Sequence, residues 1–438
     1  MRILTRSVWF AVVTTVAMAA AACTGREDPE ASVTAGSLAA QEIDVLVSGD
    51  PEELEAYRQV VEGYEAAQDT VTVNLIELAE RDELIARLST SIAGGNPPDL
   101  FLLNYRYYGQ FQAKGALESM TPYLDAEGGL EPDRFYPEAM EAFQDDGQQT
   151  CMPMNVSSLV VYYNEDLFAE AGVKPPKAEW TWAQMVATAA RLTKDTDGDG
   201  APDQYGLGVD PEMIRLAPFI WSNLGALTDD PPTRFTLDYM KDLQAMQAFF
   251  DLRTKHEVTP TDEEAEAEDF ETRFLNGTLG MLMESRKVVP AFRTISDFGW
   301  DVAPLPRWVE PASILHSDAY CMTAASEHKD AAWDFLEYAL GEDGQTIAAK
   351  TGRTVPSMIE IANSQAFLDP SAAPANSQVF LDNIPVLQSV PHISTWPEIE
   401  DTANGLFEEG YYTGAEAAEV ATEIIKATQP LFDRATAG

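Results

Sequence analysis

The stretch with the most specific chemistry is Asp195-Thr196-Asp197-Gly198-Asp199-Gly200-Ala201-Pro202-Asp203. Counted from Asp195, carboxylates occupy positions 1, 3, 5 and 9, and Gly occupies position 6. Calcium takes roughly six to eight oxygen ligands, and alternating acids on a tight loop gather several around one ion while Gly permits the turn. Position 12 is Gly206, where an EF-hand carries a bidentate Glu. The spacing predicts an EF-like loop holding one structural calcium through Asp195, Asp197, Asp199 and Asp203, with a further ligand from another segment. The alternative is a metal-free acidic turn. Catalytic patterns are lacking. His256, His316, His328 and His392 form no metal-ligand spacing, no Ser-His-Asp order stands out, and no Gly-Lys-Ser/Thr phosphate loop occurs. A glycosidase needs two carboxylates across one bond, and the 72 acids single out no such pair. No enzyme is expected; an anchored carbohydrate-active enzyme is the rival reading.

The N-terminus bears on the compartment. Arg2 and Arg6 precede an apolar or small run, Val8 to Ala22, too short for the ~20 residues a spanning helix needs. It reads as a signal peptide over residues 1–22. Ala20-Ala21-Ala22-Cys23 is similar to a lipobox, in which the Cys is lipidated and becomes the new N-terminus. Residues 23–40 are rich in Thr, Gly, Glu, Ser and Ala and read as a flexible tether. This predicts a protein on the outer face of the cytoplasmic membrane, held by lipid on Cys23. Cys151 and Cys321 then lie in an oxidising compartment; they are either bridged or two buried thiols.

Composition bounds the rest. The 438 residues carry 28 Lys+Arg and 72 Asp+Glu, a formal charge of −44. Loss of residues 1–22, with their two Arg, makes it −46. So acidic a surface repels phosphates, so no nucleic-acid partner is expected and anionic solutes are disfavoured. Apolar residues at 45% suffice for a core.

The elements that position these groups alternate. Ile43–Val47, Val71–Ile76 and Leu100–Leu103 read as strands. Leu54, Tyr57, Val60, Val61 and Tyr64 recur at helical spacing over 51–68, and Asp82–Ala93 is helical too. Gly94-Gly95-Asn96-Pro97-Pro98 breaks the chain before the third strand. Later, Leu159–Tyr163 and Leu279–Met283 read as strands, and Thr181–Thr193, Ala331–Leu340 and 415–432 as helices. The acidic run Asp262 to Glu271 reads as a solvated face. Strands separated by helices predict an α/β protein with parallel sheets.

Motifs in order carry a family resemblance over residues 41–435. They are Gly94-Gly95-Asn96-Pro97-Pro98-Asp99-Leu100-Phe101, Lys114-Gly115-Ala116-Leu117, and Met152-Pro153 followed by Val161-Tyr162-Tyr163-Asn164-Glu165-Asp166-Leu167-Phe168. Ala171-Gly172-Val173-Lys174-Pro175-Pro176, Trp180-Thr181-Trp182 and Phe274-Leu275-Asn276-Gly277 come next. Trp300-Asp301-Val302-Ala303-Pro304-Leu305-Pro306 and Ala331-Ala332-Trp333-Asp334-Phe335-Leu336 close the series. The chain resembles the maltose-type solute-binding proteins of ABC importers.

The resemblance implies a two-lobed, type II periplasmic-binding-protein-like fold, each lobe a mostly parallel sheet flanked by helices. Lobe 1 would comprise 41–153 and 320–366, and lobe 2 would comprise 154–319 and 367–438. Hinge crossings would fall near Met152–Val156, near Ser317–Cys321 and in 365–375. Neighbouring crossings would favour a Cys151–Cys321 bridge. The implied ligand is a carbohydrate, with another polar solute as the alternative; the partner is an ABC permease, and the protein is expected as a monomer. A sugar binder needs aromatic faces for the rings and polar groups for the hydroxyls. The expected ligand residues are Asp50, Asn104, Tyr105, Tyr107, Tyr108, Asn155, Ser157, Trp221, Arg286 and Trp396. Trp221, Trp396 and a Tyr from 105–108 would stack on the sugar, whereas Trp182, Trp300 and Trp333 read as core. Asp50 also reads as a helix N-cap. Met283-Glu284-Ser285-Arg286-Lys287 departs from the family pattern; its bases either pair with cleft carboxylates or receive an acidic sugar.

Overall fold

The computed structural model describes residues 41–436 apart from Glu127. The signal peptide 1–22, Cys23 and the tether 23–40 lie outside the described residues. The first lobe begins with β1 (Gln41–Ser48), α1 (Pro51–Ala67), β2 (Val71–Leu78), α2 (Arg81–Gly94), β3 (Leu100–Asn104) and α3 (Tyr105–Gln112). Period-two and unbroken apolar runs make these strands because burying them removes water from both faces of the sheet. Ile43, Val45, Val47 and the whole of β3 are buried. Asp50 starts α1 by accepting the Glu53 amide at 2.8 Å, with Pro51 as the first helical residue. The stripe Tyr57, Val60, Val61 and Tyr64 seats α1 on the sheet. Gly95, at φ +74°, ends α2 in a left-handed turn that a side chain would strain.

β1 lies between β2 and β3, parallel to both. The sheet is completed antiparallel by Asp318–Met322 and then Cys151–Pro153. These two strands are where the chain passes between lobes. Cys321 stands opposite Cys151, the two are bonded, and their Cα atoms are 4.3 Å apart. The bridge closes a loop of 170 residues, and long loops gain most from closure, typically ~2–4 kcal/mol. Helices Lys329–Ala339 and Glu342–Thr351 return to cover α1.

In the second lobe Val160–Asn164 runs between Met281–Glu284 and Trp300–Ala303 and is antiparallel to both. The two-lobed α/β architecture holds, but the strands are more mixed than a mostly parallel pair of sheets. Here both neighbours enter from the opposite end, and among the described residues of this lobe parallel pairing is confined to short contacts: Ser313–Ile314 with Leu387–Gln388, and the bridges Thr181–Arg307, Tyr205–Leu279 and Gly208–Leu282. The helices of this lobe include Trp182–Leu192 and the wholly buried Met213–Ser222, which packs on Met240–Thr254; that helix packs in turn on the final pair Trp396–Thr413 and Ala417–Thr436. Trp182, Trp300 and Trp333 are core residues. In the second lobe Arg293 Nε donates to the Ala373 carbonyl at 2.8 Å, and further on Val390 and His392 pack on α3 of the first. The acidic run forms the helix Asp262–Ala267, capped reciprocally by Thr261 and Glu264, and the start of a second helix, Phe270–Leu275.

Candidate functional site

A cleft of about 690 Å³ lies where the two lobes face each other. The first lobe contributes Glu53 from the first turn of α1, Arg81 from the start of α2, Asn104 from the end of β3 and Arg106 from α3. Carboxyl ends of parallel strands are the usual place for a ligand in such sheets. The crossings supply Asn155, Ser157, His316 and Asp318, and the second lobe supplies Asp210, Glu212, Arg215, Glu284 and Lys287.

The crossings are fixed by a reciprocal set of hydrogen bonds. Asn104 Nδ2 donates to Asp318 Oδ1 at 3.0 Å, and Asn155 Nδ2 donates to Oδ2 at 3.2 Å. The Asp318 amide returns a bond to Asn155 Oδ1 at 3.0 Å, and Ser317 Oγ donates to the Asn155 carbonyl at 2.7 Å. One carboxylate therefore joins both crossings to β3.

Charges inside the cleft are mutually paired. Arg215, 5% exposed, meets Glu284, 2% exposed, at 2.5 Å. Burial opposes ionisation of Glu284, but Arg215 and Lys287 outweigh it and hold its pKa at about 2. Because that value lies below the ordinary 4.5, the pair's stabilisation is complete above about pH 4.5 and fades as pH falls toward 2. Lys287 also reaches Glu271 at 2.6 Å. Arg353 links the lobes: Nη2 meets Glu53 at 2.5 Å and Asp50 at 3.0 Å, while Nη1 donates to the Lys287 carbonyl at 2.7 Å. Burial, with help from Glu284 and Glu212 and against Arg215, pushes Asp210 up to about 6. Burial, then Arg215 and Arg106, pushes His316 down to about 3, so it is neutral at physiological pH.

Several buried polar atoms here have no hydrogen-bond partner among the described residues: Ser157 Oγ, Thr354 Oγ1, Arg215 Nε and Nη1, and Arg353 Nε. An unsatisfied buried group costs about 1–3 kcal/mol, so each of these atoms calls for a partner from outside the protein or from a rearranged wall.

Of the residues expected from sequence, Asn104, Asn155 and Ser157 line this cleft. Asp50 caps α1, pairs with Arg353 and borders an adjoining hollow that shares Glu53, Arg81 and Asn104. The aromatic expectations are corrected. Tyr105 is 1% exposed, and its hydroxyl accepts the Val390 amide. Tyr108 is buried against Phe143 and His392 and bonded to Thr150. Tyr107 is half-buried outside the cleft wall, with Arg81 5.8 Å from its ring. The cause is local: α3 starts directly after Asn104 and packs so tightly on the 390–393 segment that a Cβ on Gly109 would strike the His392 carbonyl. Trp221 is buried in its helix, and Trp396 is wholly enclosed with Phe235 and Phe432 against its ring. Arg286 is turned into the core between Phe367 and Phe380, 4.3 and 4.9 Å from their ring centres, and burial pushes its pKa down to about 9. Among the described residues the only benzene ring in the cleft wall is Phe270, itself buried.

Sequence reasoning missed Glu53, Arg81, Arg106, Arg215, Asp318 and Arg353. Arg215 had a signal: it is the only charge in the otherwise apolar Met213–Ser222. The segment 283–287 was the right place to look, but Glu284 and Lys287 face the cleft instead of Arg286.

The acidic loop gathers oxygens of Asp195, Asp197 and Asp203 within 4.8 Å of one another. Asp199 lies outside this group of three, and its carboxylate accepts the Ala201 amide. Gly198 and Gly200 turn the loop at φ +84° and +100°, and Asp195 accepts both of their amides. The Thr196 hydroxyl and amide hold Asp203 below the usual carboxylate range. Three oxygens on a glycine turn fit a hard cation such as calcium.

Among known proteins, the family model of bacterial extracellular solute-binding proteins matches residues 48–346. A binding protein of Brucella abortus is 24% identical over 362 residues, covering 80% of this chain and 83% of its own. The mannitol-binding protein of Pseudomonas aeruginosa is 26% identical, covering 73% of this chain and 77% of its own. Among solved structures, an ABC substrate-binding protein of Listeria monocytogenes in complex with cycloalternan superposes with a TM-score of 0.82. It is 25% identical, covering 89% of this chain and 98% of its own.

Proposed function

Since the chain belongs to the bacterial extracellular solute-binding proteins, we propose that it captures a carbohydrate in the inter-lobe cleft and delivers it to an ABC permease. The family is one of binding proteins, and the chain is not an enzyme. The observation that carries the proposal is the polar cleft between two lobes, with unpartnered hydrogen-bonding atoms of Ser157, Thr354 and Arg215 in its wall. Hydroxyl-rich solutes satisfy such groups. Relatives named for mannitol, maltotriose and diacetylchitobiose add support. Lobes of this kind close on their ligand about a hinge. Titration of the purified chain with mono- and oligosaccharides is expected to give saturable binding, with the sugar recovered intact; release of products would defeat the proposal.

Anchoring through Cys23 belongs to the same proposal, supported by Ala20-Ala21-Ala22-Cys23 behind an apolar run. Among the described residues no helix is long and apolar enough to cross a membrane. A Cys23→Ala chain is expected to leave the membrane fraction of cells that make it; retention there would contradict the anchor. A calcium ion on Asp195, Asp197 and Asp203 is proposed as a structural brace, with no part in ligand capture. Calcium at a hundred times its Kd should stabilise the protein by about 2.7 kcal/mol, since binding only the folded state adds RT ln(1+[L]/Kd). Equal melting temperatures in calcium and in EGTA would remove the ion.

A further inference from the structure

The charges of the cleft narrow the class of its ligand, an inference that rests on carbohydrate capture. Each base in the wall except Arg81 already has a carboxylate. Arg215 faces Glu284 at 2.5 Å, Lys287 faces Glu271 at 2.6 Å, Arg353 faces Glu53 at 2.5 Å, and Arg106 faces Glu400 at 3.0 Å. Arg81 has no carboxylate within ion-pair distance among the described residues and is exposed beside Tyr107. The wall holds seven carboxylates against five bases, with His316 neutral. Asp318 is held by two amides and pairs with no base. Asp210 and Glu212 reach Arg215 only at 3.6 and 3.8 Å, and neither side chain accepts a hydrogen bond from a described residue. Burial, and then Glu284 and Glu212, push Asp210 up to about 6 while its side chain stays 45% exposed. An anion entering here meets carboxylates beside almost every base, whereas a cation relieves their repulsion in a partly desolvated site. Stacking is not available, because among the described residues Phe270 is the only benzene ring in the wall and is buried. A second observation bears on a ligand independently of the acids: Ser157, Thr354 and Arg215, wall residues each more than nine-tenths buried, carry polar atoms with no hydrogen-bond partner among the described residues.

We propose that the cleft selects a compact, hydroxyl-rich solute bearing a protonated amine, such as an amino sugar or aminated polyol. Its hydroxyls meet Arg215, Ser157 and Thr354, and its ammonium meets Asp210 and Glu212. Calorimetric titration with matched amine, parent and uronate forms of gluco, galacto and manno skeletons tests this. On the skeleton that binds, the amine is expected to bind at least tenfold tighter than the parent and the uronate at least tenfold weaker. The Asp210→Asn/Glu212→Gln variant should cut the amine preference below threefold. Amine and parent equal within threefold, the uronate tightest, or neutral sugars bound with no amine bound would each overturn the inference and leave the carbohydrate proposal standing. No binding by any of these or by a broad panel of neutral oligosaccharides would overturn both.

Discussion

Arg215→Ala is expected to lose solute affinity by about 100-fold and to destabilise the fold by about 3–5 kcal/mol. The two losses have separate causes. Arg215 Nη2 neutralises Glu284 in a nearly closed environment, and removing one member of a buried pair strands the other as an uncompensated charge. Lys287, 3.7 Å from Glu284, compensates only in part. Arg215 also lines the cleft, and its Nε and Nη1 have no hydrogen-bond partner among the described residues. Hydrogen bonds to a charged donor contribute about 1.5–3 kcal/mol each, and each 1.4 kcal/mol is tenfold in affinity. Arg215→Met with Glu284→Gln separates the roles. It removes both buried charges, so most of the stability should return while the affinity stays low. Denaturant unfolding and calorimetry on the same preparations read both quantities; affinity restored in the double variant would show that Arg215 only shapes the site.

Trp396→Ala should behave in the opposite way, destabilising by about 3–5 kcal/mol while affinity per folded molecule stays within about threefold. The side chain is wholly buried at the start of Trp396–Thr413, against Phe235 and Phe432. Truncating so large a group loses its transfer free energy and leaves a cavity. Trp396 is absent from the cleft wall, so the loss reaches the ligand only through the fraction folded. Trp396→Phe, which keeps most of the ring, should lose well under half as much. A midpoint unchanged in denaturant, or affinity falling tenfold or more in the folded protein, would return Trp396 to the binding site.

This contrast explains what was legible in the sequence. The first lobe could be read almost element by element because its strands and helices alternate with strong local periodicity, as in Ile43–Val47 and the Tyr57–Tyr64 stripe. Family motifs then placed the crossings and, with them, Asn104, Asn155 and Ser157. The aromatic residues misled because an aromatic near a strand end is equally suited to a ligand face and to a helix seat. Which one applies depends on packing from distant segments, here 390–393 on α3. The ionic wall of the cleft was illegible for a similar reason. Arg353 meets Glu53 across 300 residues and Arg106 meets Glu400 across 294, and no local pattern announces such pairs. The acidic loop lies at the other extreme. It is contiguous, so its glycine turn and the nearness of Asp195, Asp197 and Asp203 follow from local spacing alone.

The most direct test of the central claim is calorimetric titration of the purified chain against a carbohydrate panel spanning amino, neutral and acidic forms, with the recovered ligand analysed by mass. Saturable one-to-one binding of an intact carbohydrate, weakened about 100-fold by Arg215→Ala, is the predicted result. Binding by no member of the panel, or recovery of cleaved products, would contradict the assignment of this cleft to carbohydrate capture.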